Sequence, residues 1–137
     1  MIPSLAEYEN LVYSLQENYN SIQFSTLVVK RTSPHTAQVI GKVVLEKRII
    51  LRVFESINFQ KGRIADYGYE VYRGTEKLYW YDCWPHPDDQ SLSSTFPHHK
   101  HIPPDIKHHR IPATILSFTE PNLPALIREI EELIPTL

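Results

Sequence analysis

Histidines crowd into one stretch of this chain. Histidine is the side chain that gives and takes protons near neutral pH, so two imidazoles flanking a phosphodiester can act as general base and general acid. The stretch therefore predicts a candidate reaction centre, and metal-free cleavage of RNA is one chemistry that it could perform. Six of the seven histidines lie within 24 positions, namely His86, His98, His99, His101, His108 and His109.

Charged and hydroxyl groups near these histidines fit the same chemistry. Asp82 can fix the tautomer of an imidazole, and two histidines among the three at 98, 99 and 101 can then exchange protons with the 2′-hydroxyl and the leaving 5′-oxygen. Cationic side chains can hold phosphate and stabilise a pentavalent transition state. The candidate catalytic residues are Tyr81, Asp82, His98, His99 and His101, and the candidate substrate-binding residues are Lys100 and Arg110.

Two other interpretations of these residues stay open. His99 and His101 lie on a segment expected to be extended, which directs both side chains to one face, and Asp82, His86 and Asp88 could complete a divalent metal site, for example for zinc. The spacing matches no familiar zinc signature, so the sequence predicts no cofactor. In the third interpretation the histidines and prolines only cover the sheet, with rings stacked on aromatic side chains and nitrogens bonded to loop carbonyls.

The elements that must position these residues follow from hydrophobic periodicity. Ser4 and Glu7 form a capping box before apolar residues at helical spacing, which predicts a helix over 5–18. Asn122 and Pro124 begin a C-terminal helix. Alternating and β-branched segments predict strands over 22–31, 38–46, 48–59, 63–72 and 78–84. The sequence thus predicts one α+β domain over 1–137, a five-stranded antiparallel meander with N-terminal and C-terminal helices and a long Pro/His-rich loop within 81–110.

Two features of the expected strands have alternative interpretations. Glu55 ends an apolar alternation, so it either points to the buried face, where a carboxylate needs a partner, or is solvated at the strand end. Four tyrosines of the last two predicted strands either belong to the core or form an aromatic platform for nucleobases. These tyrosines are Tyr67, Tyr69, Tyr79 and Tyr81.

Composition bounds the class of protein. A length of 137 residues with 42% hydrophobic residues fits one folded domain. The net charge of −2 argues against a protein that coats nucleic acid through a large basic surface, although the basic residues concentrate in the central strands, where they could bind a phosphate-bearing partner. The single cysteine, Cys83, forms no internal disulfide, and no signal peptide or membrane span is visible. A soluble, cytoplasmic protein is expected.

The order of several motifs resembles that of a known family. The motifs are Gly41-Lys42-Val43-Val44, Glu55, Tyr67-Gly68-Tyr69, Tyr81-Asp82 and Thr95-Phe96-Pro97-His98-His99-Lys100-His101. Their order resembles the TumE family of small prokaryotic toxins from toxin–antitoxin pairs, over about residue 27 to the C-terminal helix. The resemblance implies a toxin neutralised by a cognate antitoxin, with ribonuclease activity as the usual expectation for small toxins. The residues to which it carries over are Tyr81, Asp82, His98, His99, Lys100 and His101.

A function of a different class fits the same segment. The Pro/His-rich arm could dock on a partner chain or complete a homodimer without any catalysis. Cleavage of RNA by the purified protein would separate the enzyme from this non-catalytic interaction module.

Overall fold

One antiparallel sheet of eight strands dominates the fold, and helices at both ends of the chain pack on it. The computed structural model describes all residues from 1 to 137. The helices are α1 (Leu5–Tyr13), α2 (Leu15–Asn18) and α3 (Leu123–Leu133). The strands are β1 (Ile22–Ser25), β2 (Val28–Ser33), β3 (Thr36–Leu45), β4 (Ile49–Asn58), β5 (Arg63–Arg73), β6 (Glu76–Asp82), β7 (His99–His101) and β8 (Arg110–Pro112). The α+β class and the antiparallel sheet are therefore as predicted.

The prediction of five strands is wrong, for two physical reasons. The segment 22–31 is divided, because β1 and β2 both pair with β3 and the chain crosses over Gly41 between them. Gly41 has φ of +138°, and a Cβ atom there would lie 2.8 Å from the Thr26 carbonyl oxygen, so only glycine permits this approach. The sheet then continues through β7 and β8, in the order β1-β3-β4-β5-β6-β7-β8.

The Pro/His-rich segment is not the long loop that the sequence predicted. A short 3-10 helix over Gln90–Thr95 precedes β7, and a turn over residues 102–109 leads into β8. Strands of only three residues with histidine and proline in them carry no alternation that a sequence reading could detect. They form because β6 presents a free edge to which β7 pairs.

The helices cover one face of the sheet and bury its apolar residues. Along β4 the buried residues are every second one from Ile49 to Ile57, so that Glu55 is also buried. Four tyrosines of β5 and β6 point to this same face and belong to the core, not to a surface platform: Tyr67, Tyr69, Tyr79 and Tyr81. The capping box at Ser4 is confirmed, since its hydroxyl accepts from the Glu7 amide, but the predicted helix is interrupted at Ser14.

The other face carries no helix and is called the helix-free face below. Its residues alternate with the buried ones, and they include Lys42 on β3, Arg52 on β4 and Trp80 on β6. None of the three α-helices has the length and apolar character needed to span a bilayer.

Candidate functional site

Pairing between β6 and β7 brings the central predicted residues together. Asp82 lies opposite His99, and Trp80 lies opposite His101. Directly paired residues share a face of an antiparallel sheet, so all four side chains project from the helix-free face. The prediction that Asp82, His99 and His101 are neighbours therefore holds in the structure.

These three side chains form a tight cluster, which we call the Asp82 cluster. The Nε2 atom of His99 lies 2.6 Å from Asp82 Oδ1, and the Nε2 atom of His101 lies 3.5 Å from Asp82 Oδ2. The two Nε2 atoms are themselves 3.0 Å apart. Both imidazoles are buried, with 1% and 4% of their side-chain surface exposed, whereas Asp82 keeps 19%. The carboxylate is thus the member of the cluster that reaches solvent.

Backbone carbonyls determine how the two imidazoles are protonated. The Nδ1 atom of His99 lies 3.1 Å from the Pro97 carbonyl oxygen, and the Nδ1 atom of His101 lies 2.9 Å from the Ile106 carbonyl oxygen. A carbonyl only accepts, so each Nδ1 carries the proton and donates it. Both Nε2 atoms then face the Asp82 carboxylate. Burial alone would raise the pKa of the Asp82 carboxyl, but hydrogen bonds with His101 and His99 outweigh it and hold that pKa well below its usual range.

A half-buried histidine and an arginine lie beside the Asp82 cluster. The His86 ring contacts the His99 ring edge to face, with centroids 4.8 Å apart. Arg110, a predicted phosphate-binding residue, places a guanidinium nitrogen 3.1 Å from the His86 ring nitrogens. Burial, and then the Arg110 charge, lower the pKa of His86 below its ordinary value of 6.5. His86 was in the histidine-rich stretch, but nothing in the sequence distinguished it from its neighbours as the one that lies next to the cluster and keeps contact with solvent.

Three other candidate residues lie on the opposite, helix-covered face. The Tyr81 hydroxyl donates to both carboxylate oxygens of Glu129 on α3, at 2.8 and 2.6 Å, and Lys100 Nζ lies 3.4 Å from the same carboxylate. His98 shares a hydrogen bond of 2.5 Å with the Tyr67 hydroxyl. The structure therefore does not bring Tyr81, Lys100 or His98 to the Asp82 cluster, because side chains alternate between faces along a strand.

The remaining polar residues of the segment are scattered. His108 is exposed and bonded to Asp105, and His109 Nδ1 donates to the Pro103 carbonyl. Asp88, a predicted metal ligand, lines a surface cleft with His86 and does not join the Asp82 cluster.

A trough on the helix-free face leads toward Asp82. It has a volume of about 590 Å³. Gly68 pairs directly with Asp82 across the sheet, and a Cβ atom at Gly68 would meet nothing within 4 Å, so space remains open beside the carboxylate. The sequence analysis did not predict this trough, although several of its lining residues are the polar ones that alternate with buried residues along the strands. Its lining includes Lys42, Arg52, Phe54, Gly68, Glu70 and Trp80.

The Asp82 cluster also has the composition of a metal site. Its ligand-type atoms all lie within 4.8 Å of one another, and it combines two imidazoles with one carboxylate. Chemically, the arrangement can polarise a bound group, hold a cation or relay a proton to an acceptor beside Asp82.

The protein is thus a small α+β domain whose candidate reaction centre is a compact polar cluster on the helix-free face of its sheet. Residues 12–134 match the profile of the TumE toxin family, described as toxin TumE, and the chain therefore belongs to that family. The resemblance seen in the sequence is confirmed, and membership implies a toxin of a toxin–antitoxin system with a cognate antitoxin as partner. No curated protein and no solved structure matches the chain.

Proposed function

We propose that this TumE-family toxin is an endoribonuclease that cleaves RNA beside Asp82 on the helix-free face. The observation that carries the proposal is the Asp82 cluster itself, which puts a partly exposed carboxylate and two buried imidazoles on the helix-free face, with Asp82 paired to Gly68 in the lining of the trough. Polar groups of this kind are seldom gathered on a sheet face without a role, because each is costly to desolvate.

The trough has the chemistry to take a single RNA strand. Lys42 and Arg52 supply positive charge for phosphates, and Phe54 and Trp80 supply aromatic surface for bases. Arg52 also lies 5.5 Å from the centre of the Tyr72 ring, which holds its guanidinium over the sheet. A strand bound here would pass Gly68, where the missing side chain leaves room for a ribose or phosphate to approach Asp82.

Histidine acid–base chemistry in this site falls to His86. The Nε2 atoms of His99 and His101 face Asp82 and each other, whereas the half-buried His86 ring lines a surface cleft with Arg110. In the proposed reaction His86 takes the proton of the 2′-hydroxyl as the 2′-oxygen bonds to phosphorus. The bond from phosphorus to the 5′-oxygen breaks, and the resulting imidazolium gives its proton to that oxygen, which leaves as a 5′-hydroxyl. Arg110 binds the phosphate, and Asp82 orients the His99 ring that contacts His86.

Cleavage of total RNA by the purified protein tests the proposal. We expect the wild type to cut RNA, and both Asp82→Asn and His86→Ala to cut at least ~100-fold more slowly, since general acid–base groups contribute about 10²–10⁴-fold. The matched control is His108→Ala, a histidine of the same segment outside the site, which should cut at the wild-type rate. A folded wild type that leaves RNA intact, or full activity in Asp82→Asn, would refute it.

A non-catalytic interaction module is the second candidate, and one observation favours it. Two large apolar side chains of the Pro/His-rich segment 81–110 remain exposed, with Trp84 at 72% and Phe96 at 49%. Such residues commonly anchor protein interfaces. If the wild type is toxic without cleaving RNA, and Trp84→Ala is not toxic, the protein acts by binding a partner through this segment.

A further inference from the structure

The geometry of the Asp82 cluster brings three groups together at one point. His99 and His101 direct their Nδ1 atoms to backbone carbonyls, as described above, so that both Nε2 atoms face the Asp82 carboxylate. The two Nε2 atoms are 3.0 Å apart, and the nearer one lies 2.6 Å from the carboxylate. Two ring nitrogens and a carboxylate this close together in a buried site require a positive species between them, either a proton or a metal ion.

We propose that Asp82, His99 and His101 bind a divalent transition-metal ion of the zinc class. Two neutral imidazoles and one carboxylate are a ligand set that zinc takes in catalytic sites, where three protein ligands leave a fourth position open. Zinc–ligand bonds of 2.0–2.1 Å in a tetrahedron separate neighbouring ligand atoms by roughly 3.3 Å. The observed separations of 2.6, 3.0 and 3.5 Å lie on both sides of that value, so small side-chain movements admit an ion.

The surroundings of the two imidazoles match those of metal ligands. A ligating histidine usually donates its other ring nitrogen to a carbonyl or carboxylate, which fixes the tautomer and orients the ring. Both histidines here have such a partner, and the Trp80 ring additionally stacks on His101 with centroids 3.9 Å apart. All three ligands come from paired strands, so the backbone holds them in register before any ion arrives.

The fourth coordination position would face the exposed side of the site. Asp82 is the only one of the three ligands with substantial exposure, and the open space at Gly68 lies next to it. A water molecule or a phosphate oxygen could bind the ion there. The use of the ion in cleavage rests on the proposed function, whereas its binding does not.

Metal titration of chelator-stripped protein tests the site directly. We expect one equivalent of Zn²⁺ to bind with a dissociation constant below about 1 µM and to raise the melting temperature. Bound Co²⁺ should give the visible absorption of a tetrahedral site. Asp82→Asn and His101→Gln should each weaken binding at least ~100-fold, because even a change in the groups that support metal ligands costs about 10–100-fold.

The matched control for this titration is His108→Gln, which removes an exposed imidazole outside the cluster and should bind Zn²⁺ like the wild type. Circular dichroism and melting curves of the metal-free variants establish that they are folded. No binding by the folded wild type would overturn the proposal and would mean that a proton holds the cluster together. Binding that Asp82→Asn and His101→Gln leave unchanged would overturn it as well.

The outcome for metal binding is separable from the outcome for RNA cleavage. Zinc binding without any cleavage would support the site and refute the endoribonuclease. Cleavage that continues at the wild-type rate in EDTA, with no zinc bound in the titration, would refute the metal site and leave the endoribonuclease standing.

Discussion

The two faces of the sheet each hold a carboxylate, but they satisfy it in opposite ways. On the helix-covered face Glu55 is fully buried and accepts hydrogen bonds of 2.5 Å from the hydroxyls of Tyr8 and Tyr69. On the helix-free face Asp82 meets the Nε2 atoms of His99 and His101. Two hydroxyl donors satisfy Glu55 completely, whereas Asp82 faces two ring nitrogens and stays partly exposed, so the second site can hold a proton or a cation.

The ends of β6 and β7 contribute side chains to both faces of the sheet. Along these strands alternate side chains point in opposite directions, so Tyr81 and Lys100 reach Glu129 on α3 while their neighbours in sequence form the Asp82 cluster. The side chains on the helix-covered face hold the C-terminal helix on the sheet. Those on the helix-free face provide the candidate chemistry, so substitutions on the two faces should have different effects.

Loss of the buried carboxylate should have the largest effect on stability. Glu55→Ala leaves two buried hydroxyls, those of Tyr8 and Tyr69, without their acceptor, and we expect it to lower the free energy of unfolding by about 3 kcal/mol. Urea denaturation measures this loss. Glu70→Ala on the helix-free face, which breaks a half-exposed ion pair with Lys77 and a hydrogen bond from the Tyr72 hydroxyl, should cost only about 1 kcal/mol, because solvent screens both interactions. Equal losses at the two positions would contradict the contrast between the faces.

Removal of one hydroxyl on the covered face should have an intermediate effect and leave the chemistry intact. Tyr81→Phe deletes the donor to Glu129, and a hydrogen bond to a charged group contributes about 1.5–3 kcal/mol. We expect a loss of about 1.5 kcal/mol in urea denaturation and an unchanged rate of RNA cleavage. A rate that falls with stability intact would return Tyr81 to the catalytic group in which the sequence reading placed it.

The pH dependence of stability should report on Glu55. Burial raises the pKa of this carboxyl above its ordinary value of 4.5, against the smaller opposing effect of the Tyr69 and Tyr8 hydrogen bonds. The native state therefore holds this proton more tightly than the unfolded state. The associated stability is complete below pH 4.5 and is lost as the pH rises toward the native pKa, by up to ~1.4 kcal/mol per pH unit. Glu55→Gln should lack this slope in parallel urea titrations, and an identical slope in both proteins would exclude Glu55 as its source.

Much of the fold follows from the sequence because the central strands alternate strictly. The bounds of β3 to β6 agree with prediction within a few residues, since apolar residues fall on every second position. The strands β7 and β8 could not be predicted, because β7 forms by pairing to the free edge of β6 and β8 forms by pairing to β7. The side chain of Asn122 shows the same limit: it begins α3 as predicted, yet it bonds to Ser117 and Tyr69 and makes no cap hydrogen bond.

The candidate site was predictable in composition and not in geometry. The sequence reading grouped Asp82 with His99 and His101, and it also included Tyr81, His98 and Lys100. Alternation along a three-residue strand separates these sets, but that separation becomes visible only once β7 is known to be a strand. Which histidines of the Pro/His-rich segment 81–110 are buried depends on the tertiary packing of that segment.

The smallest expected effect on stability belongs to Asp82, and it tests whether this carboxylate holds a cation or is a structural ion-pair partner. Asp82→Asn replaces one carboxylate oxygen with an amide nitrogen that can donate to a histidine Nε2, so the lost charge is exchanged for a hydrogen bond. In metal-free protein at pH 8 we expect a change in unfolding free energy below about 1 kcal/mol. The rise in melting temperature on zinc addition should nevertheless vanish. A large loss of stability without metal would instead make Asp82 a structural ion-pair partner, equivalent to Glu129 on the covered face, and the contrast between the two faces would then not hold.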